Sequence, residues 1–446
     1  MKNNIIHTGE KYTVSTLGAD SFNSSKSPKA TAVIPDKTVT DKIAKWGVNN
    51  NEPQELLASI ENVSLIHPIL DWKIRALYSK GLAYGFVSSD QNENEIREPI
   101  IDEEINTWLR DTNIKQYLAD SFAGASYFYN IFPEIVFSKD KRRINKLVAH
   151  KAKNCRWSIA NNRGFSEFLY LSSTWGDGAR FEDDNTSVIP VLDLTQSIKT
   201  QIKKTKNGTN YILPVKFPSP GRDYYSRAPW LSLVNTKWLN IASDVPKAKH
   251  SFLTNLLSVK YIIHVPEWWW ESQYENFDSM SKDEQKAIVK DEHTNFNTFL
   301  SGVDNQGKSL IIHSKDQMKD IKYAEWKIEA VDDKLSEGKY IEDSQEADAH
   351  IFKNLQVDPT LFGSGPGKNT QSSGSGSDKR VAWNLYDLLQ TSIQEIVLSP
   401  LDYISAFNGW EERLLKANNK QGKAELKFWI KSSLITTLDE GETTNI

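Results

Sequence analysis

The sequence predicts an α+β protein. Apolar residues recur at spacings of three and four over several long stretches, as on one face of a helix. Short β-rich runs broken by Gly, Asn and Asp fill residues 131–217. A small αβ unit, 259–330, stands between two long helical patterns.

Taken in order, residues 1–45 are polar and rich in Ser, Thr and Lys, and are expected to form an extended arm, either a disordered tail or one ordered by a neighbouring subunit. Helical spacing runs from Asn51 to Phe86 through Leu56, Leu57, Ile60 and Val63, then Ile69, Trp72, Ile74, Leu77, Tyr78 and Leu82. Two more helices are expected within 101–129, on Ile105, Trp108 and Leu109 and on Tyr117, Leu118, Phe122 and Ala125. Strands are expected at 131–137, 147–149, 156–159, 168–171 and 188–194, and 199–206 is expected to be a solvated turn.

From Pro229 the pattern Leu231, Val234, Trp238, Ile241, Val245, Ala248, Phe252 and Leu256 predicts one long helix over 228–258, kinked at Pro246. Alternation through Val259, Tyr261, Ile263 and Val265 predicts a strand ending in the triplet Trp268, Trp269, Trp270. Ser281 and Glu284 have capping-box spacing and open a helix carrying Ile288, Val289, Phe296, Phe299 and Leu300. Strands at 309–313 and 321–328 complete the insert. A helix with an acidic polar face follows over 336–355. Residues 363–377 hold five Gly and five Ser in fifteen, a functional loop or a plain linker. Lys379 and Arg380 then lead an apolar helix through Leu385, Leu388, Leu389, Ile393, Ile396 and Val397, which Pro400 bends or ends. Asn408-Gly409 signals a turn, 426–434 a final strand, and 439–442 an acidic tail.

With 446 residues, about 100–200 per domain suggests two to four units. Hydrophobic and charged fractions of 39% and 25% exclude collagen-like and disordered classes. No window approaches the ~20 uncharged apolar residues of a membrane span, and Met1–Glu10 lacks the pattern of a secretory signal. The single cysteine, Cys155, excludes an internal disulfide and a Cys-based zinc site, so folding in a reducing cytoplasm is expected. A net charge of −4 argues against tight phosphate binding. Fourteen tryptophans serve either aromatic cores and interfaces or sugar-stacking platforms.

Catalytic patterns are missing from the sequence. Gly363-Ser-Gly-Pro-Gly-Lys368 imitates a phosphate loop, but Phe362 stands where its first Gly belongs and Asn369 where Ser or Thr must ligate Mg²⁺. Asp291-Glu292-His293 has no second His four residues on, so it is read as a helix-surface cluster. No cofactor and no metal are expected. Two competing readings are a Trp-rich carbohydrate-binding protein or glycan hydrolase, which would need export, and a nucleotide-binding enzyme using Lys368.

The order helix, αβ insert, acidic helix, Gly/Ser loop and long terminal helix resembles the portal proteins of tailed double-stranded-DNA bacteriophages. Residues 223–231 (DYYSRAPWL) resemble that family's G-x-S/P-P-L start of the stem. The helix ending at 252–255 (FLTN), before the strand 261–265 (YIIHV), resembles its passage into the clip, without the usual Gly. Residues 357–363 (VDPTLFG) are similar to its V-P-P-x-L-L-G, with Asp358 in place of a Pro, and 375–380 (SGSDKR) lie where it has the tunnel loop and next helix. The resemblance covers residues 60–400.

It implies the phage portal fold: an α/β wing, a two-helix stem, a small αβ clip, a tunnel loop and a long C-terminal wing helix. Residues 1–45 would be the arm, 46–227 the wing, 228–258 and 331–357 the stem helices, 259–330 the clip, 358–380 the tunnel loop, and 381–446 the wing or crown helix with the final strand and tail. It further implies a non-enzymatic dodecameric ring at one capsid vertex of the virion, assembled in the host bacterial cytoplasm. Double-stranded DNA would pass through it without sequence-specific contact. The terminase large subunit, a head-completion or adaptor protein, and the major capsid or scaffold protein would be partners, with no membrane involved. Lys368, Asn369, Gln371, Lys379 and Arg380 would then touch DNA, although Lys379 and Arg380 equally suit simple solvation. Trp268, Trp269 and Trp270 would be clip core or a partner-docking patch.

Overall fold

A computed structural model of the chain describes residues 6–8, 12–14, 42–90, 95–175, 186–204, 208–256, 261–301, 309–314, 327–330, 339–362, 376–432 and 435. The fold mixes helices with five small sheets. The expected arm shows a short hairpin, β1 (Ile6–Thr8) with β2 (Tyr12–Val14), and is otherwise outside the described residues up to 42. Its last residues belong to the body instead. Ile43 and Ala44 are buried, the Ala44 amide donates to the Trp157 carbonyl at 2.8 Å, and Trp46, the first residue after the expected arm, is buried and stacks on Tyr225 at 4.2 Å.

Helix α1 (Glu52–Glu61) starts with Pro53 in its first turn and acidic Glu52 and Glu55 beside the positive helix end. Helix α2 (Ile66–Tyr78) buries Ile66, Ile69, Leu70, Ala76 and Leu77. The helical pattern expected as far as Phe86 stops here. Ser79 and Gly81 take φ of 40° and 85°, which turns the chain into strand β3 (Leu82–Ser89). Tyr84 and Phe86 point into the core, and Gly85 sits so close to strand β4 (Glu95–Pro99) that an added Cβ would lie 2.1 Å from the Glu98 carbonyl oxygen. Helix α3 (Glu103–Asp111) is capped by Asp102, whose Oδ1 accepts from the Ile105 amide at 3.0 Å. Helix α4 (Ile114–Phe128) follows after Asn113, with φ of 53°.

Strands β5 (Phe132–Phe137) and β6 (Ile144–His150) form an antiparallel pair, and β7 (Cys155–Trp157), β8 (Phe168–Leu171) and β9 (Ser187–Pro190) a second sheet. Of the stretch 199–206 expected as a solvated turn, 199–204 belong to helix α5 (Ile198–Lys204) and 205–206 lie outside the described residues. Ile202 packs into the core while Lys199 and Lys203 stay in water, so the lysines are its outer face. Strand β10 (Asn210–Ile212) completes the β5–β6 sheet.

The expected long helix over 228–258 is divided. A 3-10 turn at Pro229–Leu231 and α6 (Ser232–Asn235) end before Lys237, which has φ of 66°, and α7 (Trp238–Leu256) then runs through Pro246. The break is the left-handed Lys237, not the proline. In the insert, β11 (Tyr261–Pro266) leads into α8 (Glu267–Gln273), so the tryptophan triplet is helical. Helix α9 (Lys282–Ser301) starts with the expected capping box: the Ser281 amide donates to Glu284 Oε2 at 2.9 Å and the Glu284 amide to Ser281 Oγ at 3.4 Å. Strand β11 lies between β12 (Ser309–Ser314), parallel to it, and β13 (Lys327–Ala330), antiparallel. Residues 321–326 of the expected strand lie outside the described residues.

Helix α10 (Lys339–Leu355) packs on α7, with His350 stacked on Trp238 at 3.9 Å and Ser232 Oγ 2.8 Å from Asn354 Oδ1. Helix α11 (Gly376–Asn408) begins within the residues expected as tunnel loop, so 376–380 are helical. It also runs through Pro400. The proline removes the N–H that would reach the Ile396 carbonyl, and Ser399 Oγ donates to that carbonyl at 2.8 Å instead. Gly409, with φ of 74°, separates α11 from α12 (Trp410–Ala417), a helix the sequence reading did not separate out. Strand β14 (Glu425–Ile430) pairs with β3, so the C-terminal strand closes the N-terminal sheet in the order β14-β3-β4. The main core gathers α4, α11, β14, β3, β5 and β6 around Tyr117, Phe122, Val397, Leu401 and Phe428.

Candidate functional site

The candidate site lies at the two ends of the Gly/Ser segment. Before it, a 3-10 turn at Pro359–Phe362 follows α10; after it, α11 begins. Both ends converge on one side chain of α2. Trp72 meets Phe362 at 6.2 Å, Trp383 at 6.1 Å and Tyr386 at 4.9 Å between ring centroids, and Phe352 of α10 closes on Phe362 at 5.8 Å. Apolar rings supply large contact area, and edge-to-face pairs add directionality. The next residue of α2, Lys73, donates from Nζ to the Leu355 carbonyl at 2.9 Å, at the negative end of α10. Burial holds its ammonium down to a pKa of about 8.

Of the expected DNA contacts, Lys368, Asn369 and Gln371 lie outside the described residues. Lys379 and Arg380 are half-buried in the first turns of α11, next to the aromatic clamp. Cations are disfavoured at a helix start, so their placement there is not explained by helix electrostatics.

The tryptophan triplet splits by depth. Trp270 is 2% exposed and forms a small core with Val265, Trp269 is half-buried beside it, and Trp268 is 50% exposed. Elsewhere Trp46, Trp157, Trp175, Trp230 and Trp410 are buried, while Trp72, Trp108, Trp238, Trp383 and Trp429 are half-buried.

The feature missed by sequence reasoning is a bare apolar stripe on the N-terminal half of α11. Val381, Leu385, Leu388 and Leu389 are 57–69% exposed, while Val397, Leu398, Leu401 and Ile404 farther along are buried. Spacing shows an apolar face but not where its cover ends; the signal was that α11 is apolar for longer than its own core needs. Among the described residues no group of three or more His, Cys, Asp or Glu could hold a metal ion, and no helix is long and apolar enough to cross a membrane. Burial pushes the Cys155 thiol well up.

No protein-family model matches the chain, and no curated protein matches it. Among solved structures, its fold is similar to a chain in the neck of an empty gene transfer agent (GTA) particle computed with C6 symmetry. The TM-score is 0.51 and the identity 13%, over 87% of this chain and 86% of that one. Chains from the virion of a native GTA particle (TM-score 0.45, 12% identity, 84% and 83% covered) and from the neck of a native GTA particle computed with C12 symmetry (0.46, 11%, 85% and 85%) also match. At such identities the likeness to the first is one of fold.

Proposed function

We propose that the chain is a portal-type, head-to-tail structural protein of a phage-like particle: a ring of about a dozen copies through which double-stranded DNA passes, without catalysis of its own. The observation that carries this reading is the fold shared with a particle-neck chain over 87% of the length. That neck was computed with C6 symmetry, compatible with rings of six or twelve copies. The bare stripe Val381–Leu389 supports assembly, since exposed apolar patches mark interaction surfaces.

On this reading α7 and α10 are the stem, residues 259–330 the clip, and 363–380 the segment facing DNA. A net charge of −4 per chain makes the ring acidic, so DNA slides instead of sticking. Lys368, Lys379 and Arg380, with Asn369 and Gln371, touch the backbone without reading sequence. The clip takes the terminase large subunit during packaging and an adaptor or head-completion protein afterwards; the wing meets capsid or scaffold. The particle is the site of action, after assembly in the host cytoplasm.

The test is negative-stain electron microscopy of the purified protein with its solution mass. Rings with a central channel are expected. A protein that stays monomeric at every concentration sinks the reading.

A further inference from the structure

Helix α9 carries Lys282, Lys286 and Lys290 at i, i+4 and i+8, all exposed on one face. They border an open groove of about 550 Å³ whose other lining includes Trp270, Val289 and His293. None of the three lysine ammonium groups bonds or pairs with another described residue. Like charges at this spacing repel one another along the helix, and no ion pair within the described chain takes up any of the three. A matching feature of opposite sign lies on α10. Glu342, Asp343 and Glu346 are exposed and equally unpaired, and Glu342 and Glu346 repeat the four-residue spacing.

We propose that the lysine row of α9 in one copy docks against the acidic row of α10 in the next copy around the ring. The inference rests on the ring reading above. A closed ring joins two different faces of the same chain, and these rows are such a pair: opposite in charge and equal in spacing, with four residues, about 6 Å along the axis, between successive charges. Duplex DNA is the weaker occupant. Phosphates need the lysines but gain nothing from the apolar floor at Trp270 and Val289, whereas the aliphatic stems of glutamates rest on it.

The experiment is charge reversal and its repair, read as the concentration of half-assembly by sedimentation in low salt. Lys286→Glu with Lys290→Glu, or Glu342→Lys with Glu346→Lys, is expected to raise that concentration about tenfold. The four changes together should return it to within about threefold of wild type. The milder Lys286→Gln should shift it about threefold and keeps the test open if a reversed chain folds poorly. All these differences should fade in about 1 M salt. Wild-type rings with reversed variants that assemble normally, or reversals that add up instead of repairing each other, overturn the docking and leave the ring intact. Reversed rings that assemble normally but lose affinity for a short DNA duplex assign the lysines to DNA and also overturn it. A monomeric wild type overturns the ring reading itself.

Discussion

The indole of Trp72 meets that of Trp383 edge to face, with 6.1 Å between centroids and 87° between planes. Phe362 rests on the same Trp72, so one residue of α2 fastens the two borders of the Gly/Ser segment, 21 positions apart in sequence. A chain whose ends are held close loses less freedom whatever its interior does. The segment is thereby tied to the body through α2.

Replacing Trp72 by Ala should therefore act at a distance. Half-buried as it is, the indole should cost about 2–3 kcal/mol of stability on removal, below the range for a fully buried one. Tryptic cleavage at Lys368 and Lys379 should accelerate more than cleavage elsewhere. Equal acceleration at all sites would show that Trp72 only stabilises the body.

Lys73 gives a pH dependence. Its ammonium titrates near 8 in the folded protein, against about 10.5 in an unfolded chain. Below pH 8 both states hold the proton and folding bears the full desolvation cost. Between about 8 and 10.5 the unfolded state binds more protons, so stability should rise with pH, by about 1–3 kcal/mol. Lys73→Met should be more stable at pH 7 and flatten this rise. Urea midpoints across pH 7–10 measure both; parallel curves for the two proteins would remove Lys73 as the source.

The pattern of helices and strands was legible where local chemistry decides it. The Ser281–Glu284 capping box and the two helices within 101–129 follow from caps and periodicity alone. What escaped depended on contacts or on backbone choices without a sequence signal. Leu82 continues the helical spacing of α2, yet Ser79 and Gly81 turn the chain over and β14, more than 300 residues later, recruits it into a sheet. Lys237 adopts a left-handed conformation that no lysine advertises, while Pro246 and Pro400, the obvious breakers, sit inside helices. In the site, Lys379 and Arg380 were readable as basic residues beside a Gly/Ser stretch. Their neighbour, the Trp72 clamp, was not, because its members come from three distant segments.

Arg156 should be among the most costly surface-remote substitutions. Fully buried, it donates from Nε to Asn50 Oδ1 at 2.6 Å and from Nη1 and Nη2 to the carbonyls of Cys155 and Asn50 at 2.7 Å each. It lies over the rings of Trp46 and Trp175 at 5.5 and 5.4 Å. Asn50 Oδ1 keeps the Trp46 amide as a donor at 3.0 Å, but Arg156→Met removes the guanidinium's bonds to the Cys155 and Asn50 carbonyls, at about 1–3 kcal/mol for each acceptor left without a partner, and should cost about 3–5 kcal/mol in total with the lost ring contacts. Arg156→Lys keeps a charge but not the planar fork and should recover less than half of that in guanidinium unfolding. Full recovery by Lys would mean that charge alone matters at this position.

The bare stripe on α11 separates assembly from folding. Leu385 and Leu388 are 57% and 69% exposed, so Leu385→Glu with Leu388→Glu removes little buried area within one chain. Thermal unfolding of the monomer should move by no more than about 0.5 kcal/mol in stability. If a neighbouring copy covers these side chains, burying each is worth about 1.5–3 kcal/mol at the interface. The half-assembly concentration should then rise on the order of 100-fold. The contrast with the α9 lysines is in salt: charge reversal there should fade in high salt, whereas the loss of apolar contact here should persist, since excluded salts strengthen burial instead of screening it. A double variant that forms rings at the wild-type concentration would leave the stripe facing solvent in the ring and remove it as a subunit contact.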